Sequence, residues 1–80
     1  MELSDSKVLV TGGGSGLGAV LSKEFAATGA EVHVCGRRMD PLEKLAASAA
    51  NITGHQLDVT DEAGTDALFA EIGAVDVIIA

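Results

Sequence analysis

Residues 8–18 read VLVTGGGSGLG, and this stretch decides the fold of the chain. Four residues rich in β-formers run into five glycines within the seven positions 12–18, and an amphipathic helix pattern follows at once. Such a strand–turn–helix unit can bind phosphate, because the helix end presents unpaired N–H groups and glycine lets the backbone come close to an anion. The alternative is a tight turn that binds no ligand.

Size and charge restrict the possible partners. Eighty residues make one small domain, and a composition of 48% hydrophobic and 21% charged residues is typical of a globular chain. The formal net charge is −7, and Arg37-Arg38 is the only basic pair. We therefore expect no nucleic-acid partner, because no basic face is available to neutralise phosphates along a strand.

The sequence also predicts a cytoplasmic protein. Residues 1–6 lack the basic segment and the long apolar run of a signal peptide, and no apolar run reaches membrane-spanning length. We therefore expect no membrane partner. The single Cys35 cannot form an internal disulfide, which fits a reducing compartment.

Short apolar runs alternate with helical periods along the chain. The predicted strands cover residues 8–11, 31–35, 55–59 and 75–80. Right-handed crossovers between buried parallel strands give an α/β fold, β-α-β-α-β-α-β with strand order 3-2-1-4. This is the first half of a doubly wound fold plus the strand across its topological switch point.

Three helices are predicted between these strands. The first should bury a face formed by Leu17, Val20, Leu21 and Phe25 and end at 28–29. The second should have Asp40 as its N-cap, with Pro41 next, and close at Asn51. The third should open at 60–62 and end at Gly73. Gly64 inside it costs up to about 1 kcal/mol relative to Ala, for no reason visible in the sequence.

The glycine spacing carries a family resemblance. Thr11-Gly12-x-x-x-Gly16-x-Gly18 departs from G-x-G-x-x-G, but it is similar to the T-G-x-x-x-G-x-G cofactor motif of the short-chain dehydrogenase/reductase family. Asp58-Val59 after the third strand and the apolar run 76–79 extend the resemblance over residues 7–80. It implies a truncated NAD(P)-binding Rossmann domain over residues 1–80, a partial three-layer fold.

The resemblance also implies cofactor-binding roles for particular residues. Gly12 would allow the tight turn, Gly16 the approach to the pyrophosphate, and Gly18 the packing of the helix on the sheet. Asp58 would accept a hydrogen bond from the adenine amino group; its alternatives are a helix N-cap or a solvated carboxylate. The residues expected at the cofactor are Gly12, Gly14, Ser15, Gly16, Leu17, Gly18, Arg37, Arg38, Asp58 and Val59.

The end of the second strand predicts which dinucleotide is bound. A fold that prefers NAD places an acid there to hold the ribose 2′-OH. This chain has Gly36, followed by Arg37 and Arg38. A guanidinium can bind a 2′-phosphate bidentately, so we expect NADP rather than NAD, with Arg37 as the main contact and Arg38 as the secondary one. The alternative is that both arginines are solvated loop charges.

Other reactive side chains receive structural interpretations. His33 is expected to be a hydrogen-bonded core or edge histidine, and Cys35 a small buried hydrophobe. His55 has no acid or nucleophile at a recognisable spacing. We expect no metal site, because Cys35 has no second thiol partner.

The resemblance implies hydride transfer between a nicotinamide and a carbonyl or alcohol carbon, with a Tyr in Y-x-x-x-K as general acid/base. The 80 residues contain no Tyr, and the family's N-A-G motif would begin just beyond Ala80. We therefore expect an N-terminal portion that is inactive alone, from a protein that forms homo-oligomers in its longer form.

Two alternative functions remain, and the fourth strand raises a separate expectation about association. The alternatives are a non-catalytic nucleotide-binding module or partial gene product, and a methyltransferase, although the latter usually has an acid where Gly36 stands. The isolated portion should self-associate through the apolar edge of its fourth strand.

Overall fold

The computed structural model describes residues 5–12, 16–58 and 60–79, which form seven regular elements. They are β1 Lys7–Thr11, α1 Gly16–Ala27, β2 Glu31–Gly36, α2 Met39–Ala47, β3 Ile52–Gln56, α3 Glu62–Ile72 and β4 Val77–Ile79. The strands form one parallel sheet in the order β3-β2-β1-β4. The predicted α/β fold and strand order are therefore confirmed.

The sheet is covered on both faces, as the near-continuous apolar strands predict. Alternate residues of a strand point to opposite faces, so Val8 and Val10 pack into one core and Leu9 into the other. The first core includes the buried residues of α1 and α2, and the second includes Leu68 and Ile72 of α3. This gives three layers, with α1 and α2 on one face of the sheet and α3 on the other.

The predicted buried face of α1 is partly wrong. Leu17 and Val20 are 73% and 55% exposed, whereas Ser22 and Ala26 are buried. The Ser22 hydroxyl donates to the Gly18 carbonyl at 2.7 Å, which satisfies it inside the core. Phe25 is partly buried and packs against the same core, so the predicted face is correct at Phe25 and wrong at Leu17 and Val20.

The predicted bounds of α2 are also wrong. Its N-cap is Arg38, in an extended conformation and without a side-chain cap bond, so Asp40 lies inside the first turn. The helix ends at Ala47, and Ser48 is the C-cap. Asn51 does not close it. Its side-chain amide donates to the carbonyls of Ala26 and Ala30, at 2.8 and 2.7 Å, and thereby connects the strand that follows to the end of α1.

β3 is shifted toward the N-terminus relative to the predicted range 55–59. It begins at Ile52, which pairs with Val32 and is only 4% exposed. The pattern missed this start because Thr53 and Gly54 interrupt the apolar run. As a result, Asp58 lies in the loop after the strand, two residues beyond its end.

The start of α3 explains Gly64. Asp61 is the N-cap, and its Oδ1 accepts a hydrogen bond from the Gly64 N–H at 3.1 Å. A Cβ at position 64 would lie 2.7 Å from Asp61 Oδ2 and 3.0 Å from the Leu57 side chain. Glycine is therefore required there by the cap, at the expense of helix propensity. Gly73 ends the helix with φ +79°, as predicted.

β4 is attached to β1 by two reciprocal bonds. The Lys7 N–H donates to Asp76 Oδ2 at 2.8 Å, and the Asp76 N–H donates to the Lys7 carbonyl at 2.9 Å. The strand itself is shorter than the predicted range 75–80. Over the described ranges, no helix is long and apolar enough to cross a membrane.

A hydrogen-bonded chain of side chains crosses β2 and β3. Glu31 Oε2 lies 2.6 Å from His33 Nε2, and His33 Nδ1 lies 2.8 Å from His55 Nε2. A carboxylate only accepts, so His33 Nε2 donates to Glu31; in the neutral state His33 Nδ1 then accepts from His55. His33 is therefore buried and hydrogen-bonded, as predicted. The sequence spacing did not show that His55 has His33 as its partner.

This chain should make stability depend on pH. Burial and the neighbouring His33 lower the pKa of His55 below its ordinary 6.5, against the opposing pull of Glu71. As the pH falls, the unfolded state therefore binds the proton at a higher pH than the folded state does. The stability that depends on neutral His55 is complete above pH 6.5 and is lost as the pH falls through the pKa of the folded state. The hydrogen bond from His33 lowers the pKa of Glu31, which keeps that carboxylate ionised in this window.

We expect His55→Gln to remove part of this decline, because Gln keeps an amide donor and does not titrate. The measurement is the free energy of unfolding in urea between about pH 8 and pH 5. An equally steep decline in the variant and the parent protein would contradict this role for His55.

Of the two glycines that face Leu42, Gly54 should tolerate substitution by alanine less well than Gly36. A Cβ at Gly54 would lie 3.1 Å from Leu42 Cβ and 3.3 Å from its carbonyl oxygen, so α2 would have to move. At Gly36 the nearest atoms are the Leu42 methyl groups at 3.8 and 3.9 Å, which is ordinary contact. Gly54→Ala should lower the free energy of unfolding by about 1–3 kcal/mol, measured in urea. The matched control Gly36→Ala should change the free energy of unfolding by less than about 0.5 kcal/mol. Equal losses in the two variants would contradict a clash between Leu42 and a side chain at position 54.

Candidate cofactor-binding site

The carboxyl ends of β1, β2 and β3 border one cavity. The strands are parallel, so their ends meet at the same edge of the sheet, where ligands bind in folds of this kind. The cavity has a volume of about 350 Å³. Its lining residues are Thr11, Gly12, Gly36, Arg37, Leu57, Asp58 and Thr60.

Two glycines stand at the ends of the segment that joins β1 to α1. Gly12 and Gly16 have φ values of +68° and +30°, in the left-handed region that favours glycine. A Cβ at either position would meet nothing within 4 Å, so the space in front of both is open. The Gly12 N–H donates to the Cys35 carbonyl at 2.8 Å, which joins the turn to the end of β2. The predicted site residues Gly14 and Ser15 lie outside the described residues.

The end of β2 contributes a cation and no carboxylate. Gly36 is its last residue, and the exposed Arg37 follows directly and lines the cavity. The Leu57 N–H donates to the Gly36 carbonyl at 2.8 Å, and Gln56 Nε2 donates to the Arg37 carbonyl at 3.2 Å. The backbone that carries Arg37 is therefore held against the end of β3.

Asp58 lies across the same cavity from the glycine turn. Its Oδ1 accepts from the Thr60 N–H at 3.0 Å and from the Thr60 hydroxyl at 2.7 Å. These bonds, with a smaller contribution from the positive charge of Arg37, lower the pKa of the Asp58 carboxyl. Asp58 is not the N-cap of α3, because Asp61 has that role. The predicted site residue Val59 lies outside the described residues.

The remaining predicted residues lie around the cavity without lining it. Leu17 and Gly18 lie in the first turn of α1, where Leu17 is largely exposed. Arg38 is exposed at the N-cap of α2. Sequence reasoning missed Thr60 and Gln56 as parts of the site. The signal for Thr60 was present, since Asp-x-Thr is a spacing at which an aspartate side chain bonds the backbone two residues on.

A second, larger cavity of about 700 Å³ adjoins the first between β3 and α3. The two share Arg37, Leu57 and Asp58, and the larger one extends along α3 past Asp61 to Glu71. His55 lines it as well. No group of three or more His, Cys, Asp or Glu side chains suited to a metal ion occurs over residues 5–12, 16–58 and 60–79.

Comparisons with known proteins indicate the family of this chain. A family model described as short chain dehydrogenase matches residues 6–80. An uncharacterised oxidoreductase from Mycobacterium tuberculosis is 39% identical over an alignment 83 residues long. The alignment covers 91% of this chain and 33% of that protein. Curated relatives of this kind are thus about three times as long as the chain, which spans about a third of their length.

Solved structures share the fold. The crystal structure of a short chain dehydrogenase from Bacillus anthracis has a TM-score of 0.91 at 27% identity, over 98% of this chain and 35% of its own. A 3-ketoacyl-(acyl-carrier-protein) reductase from Brucella melitensis, complexed with NADH, has a TM-score of 0.84 at 30% identity, over 95% of this chain and 33% of its own.

The sheet order, the glycine turn and the match over residues 6–80 lead to one conclusion. Members of the matched family are oxidoreductases that bind NAD or NADP, so the ligand that membership implies is a nicotinamide dinucleotide. The chain belongs to the short-chain dehydrogenase family, of which it contains the Rossmann-type sheet with strand order 3-2-1-4.

Proposed function

We propose that this chain is the dinucleotide-binding part of an NADP-dependent oxidoreductase, which transfers hydride between NADP(H) and a carbonyl or alcohol carbon. The observation that carries the proposal is the cavity at the carboxyl ends of β1–β3. It brings a left-handed glycine, an arginine and a carboxylate together around one open space. The described residues therefore fit a ligand with phosphates at one end and a base with an amino group at the other.

The pyrophosphate would bind at the turn between β1 and α1. Gly12 and Gly16 leave open space where side chains would otherwise stand, and α1 begins at Gly16. A helix N-terminus offers N–H donors and a partial positive charge to an anion. In the 12 residues of α1 the first turn carries no acidic side chain that would repel a phosphate.

The ribose 2′-phosphate would bind Arg37. Arg37 lines the cavity, and Gly36 leaves no carboxylate at the end of β2 to repel a phosphate. Arginine binds phosphate in a bidentate manner that a ribose hydroxyl cannot match. Arg38 would add a weaker contact, because it stands outside the cavity lining.

The adenine would bind near Asp58, whose carboxylate would accept a hydrogen bond from the 6-amino group. Hydrogen bonds from Thr60 lower the pKa of this carboxyl, which keeps it an acceptor at neutral pH. The nicotinamide, when bound, supplies the hydride chemistry. The 80 residues hold no tyrosine, so the general acid/base of the whole protein is not among them.

Replacing Arg37 should separate the two dinucleotides. In the intact protein, Arg37→Ala should raise the Kd for NADPH about tenfold or more and change the Kd for NADH less than about twofold, since a charged hydrogen-bonded contact contributes about 1.5–3 kcal/mol. Arg38→Ala is the matched control for loss of one positive charge and should have the smaller effect. Both constants are measurable from the fluorescence of the reduced nicotinamide. Equal losses for NADPH and NADH in Arg37→Ala would refute the assignment.

Introducing an acid at position 36 should reverse the preference. A side chain fits there, because a Cβ would meet the Leu42 methyl groups no closer than 3.8 Å. Gly36→Asp should weaken NADPH binding by repelling the 2′-phosphate and strengthen NADH binding by accepting from the 2′-OH. Gly36→Asn has the same size without the charge and should leave NADPH the preferred ligand. Identical shifts in the Asp and Asn variants would mean that bulk, not charge, governs this position.

A nucleotide-binding protein without a reaction is distinguished by turnover. The intact protein should oxidise NADPH in the presence of carbonyl substrates, followed at the absorbance of the reduced nicotinamide. Tight NADPH binding with no turnover over a broad carbonyl and alcohol panel would favour the non-catalytic module. Binding of S-adenosylmethionine in preference to NADPH would instead favour a methyltransferase.

A further inference from the structure

Thr60 makes two hydrogen bonds to a single atom of Asp58. Its N–H and its hydroxyl both donate to Oδ1, at 3.0 and 2.7 Å. Both residues are exposed, and both line the cavity of about 350 Å³. An exposed aspartate usually samples several side-chain rotamers, whereas two donors on one oxygen select a single orientation of the carboxylate.

Asp58 and Asp61 make further hydrogen bonds beside this pair. The Asp61 N–H donates to the Asp58 carbonyl at 2.9 Å, and the Asp61 side chain accepts from Gly64 as the N-cap of α3. The backbone at Thr60 is thus anchored between the end of β3 and the first turn of α3. Asp61 caps the helix, and Asp58 is the one of these two carboxylates that lines the cavity of about 350 Å³.

The two bonds from Thr60 use only one of the two carboxylate oxygens of Asp58. Both end on Oδ1, and over the described part of the chain no residue donates to Oδ2. Oδ2 therefore keeps its acceptor capacity for a donor in the cavity. Fixing the rotamer in advance reduces the conformational entropy that binding would otherwise cost.

We propose that Thr60 is a positioning residue for ligand recognition, which orients Asp58 so that Oδ2 accepts from the 6-amino group of adenine. This rests on the proposed function, in which the cavity takes the adenosine end of NADP. Thr60 would act through Asp58 and would not contact the nucleotide base itself. It would therefore govern the choice between adenine and a base without the amino group, and not the overall affinity for phosphates.

The experiment compares NADPH with its hypoxanthine analogue, in which an oxo group replaces the 6-amino group. The ratio of the two Kd values is measured in the intact protein and in Asp58→Ala, Thr60→Val and Thr60→Ser. The parent protein should prefer NADPH by about tenfold, as expected for one charge-assisted hydrogen bond. Asp58→Ala should bring the ratio to within about twofold of unity. Thr60→Val loses the hydroxyl donor and keeps the backbone N–H, so it should lower the ratio part of the way, whereas Thr60→Ser, which keeps both donors, should retain the preference.

The outcomes separate the inference from the function on which it rests. A ratio unchanged in Asp58→Ala would show that Asp58 does not recognise the adenine, which refutes that part of the proposed function. A collapsed ratio in Asp58→Ala with an unchanged ratio in Thr60→Val would refute only the role of Thr60. Equal weakening of both nucleotides in Thr60→Val would mean a structural role of the loop and would also overturn the proposal.

A second measurement guards against a variant that folds poorly. The carboxyl carbon of Asp58 can be titrated by NMR, since the hydrogen bonds from Thr60 are the largest cause of its lowered pKa. Thr60→Val and the smaller Thr60→Ala lose the hydroxyl bond and keep the backbone N–H bond, so the pKa should rise part of the way toward its ordinary value in both. It should stay low in Thr60→Ser. A pKa that does not change in folded Thr60→Val or Thr60→Ala would contradict the positioning contact.

Discussion

The structure depends on the parallel pairing of β1 with a partner on each side. β1 pairs with β2 along its whole length and with β4 over residues 8–10, and Val8 and Val10 are completely buried. Parallel partners require crossovers, and the three helices provide them and cover the two faces. The same pairing brings the carboxyl ends of the strands to one edge. The direction of winding reverses between β1 and β4, so the crevice beside the glycine turn is a consequence of the strand order.

The strands and their order could be predicted because burial on both faces leaves a strong apolar signal. Residues 8–10 are all apolar β-formers and residues 31–35 contain Val32, Val34 and Cys35, and both runs lie in the centre of the sheet. β3 is an edge strand with Thr53 and Gly54 in it, so its signal was weak and its predicted position was late. Gly54 is explained only by the approach of α2, since the backbone of Leu42 occupies the space of a side chain. Contacts between elements distant in sequence are not encoded in a local pattern.

The helices show a different limit of local patterns. The spacing of Leu17, Val20, Leu21 and Phe25 predicts a buried face, yet only Phe25 of these packs against the core, and the buried residues of α1 are Ser22 and Ala26. A helix can bury either its large residues at a distance or its small residues at close range, and periodicity does not distinguish these. Leu17 and Val20 are exposed on the surface, and so is Ile78 of β4. For the second helix, Asp40 and Pro41 were correct signals of a helix start, but the chain enters the helix at Met39.

The candidate site combines opposite charges in a chain that is strongly acidic. A net charge of −7 repels a polyanion as a whole, so attraction to a phosphate has to be local. Arg37 can provide this attraction locally. Asp58 lines the same cavity, and the charge of Arg37 helps to lower its pKa. The family resemblance implied Gly12 and Asp58, and the absence of an acid after the second strand pointed to Arg37; all three line the cavity. The sequence could not show how the Asp58 carboxylate is oriented, because two hydrogen bonds from Thr60 set that orientation. On the proposed function, a cation for the 2′-phosphate and a fixed acceptor for the adenine amino group select for the two ends of one adenosine phosphate. A site with either charge alone would accept any anion or any amine of similar size.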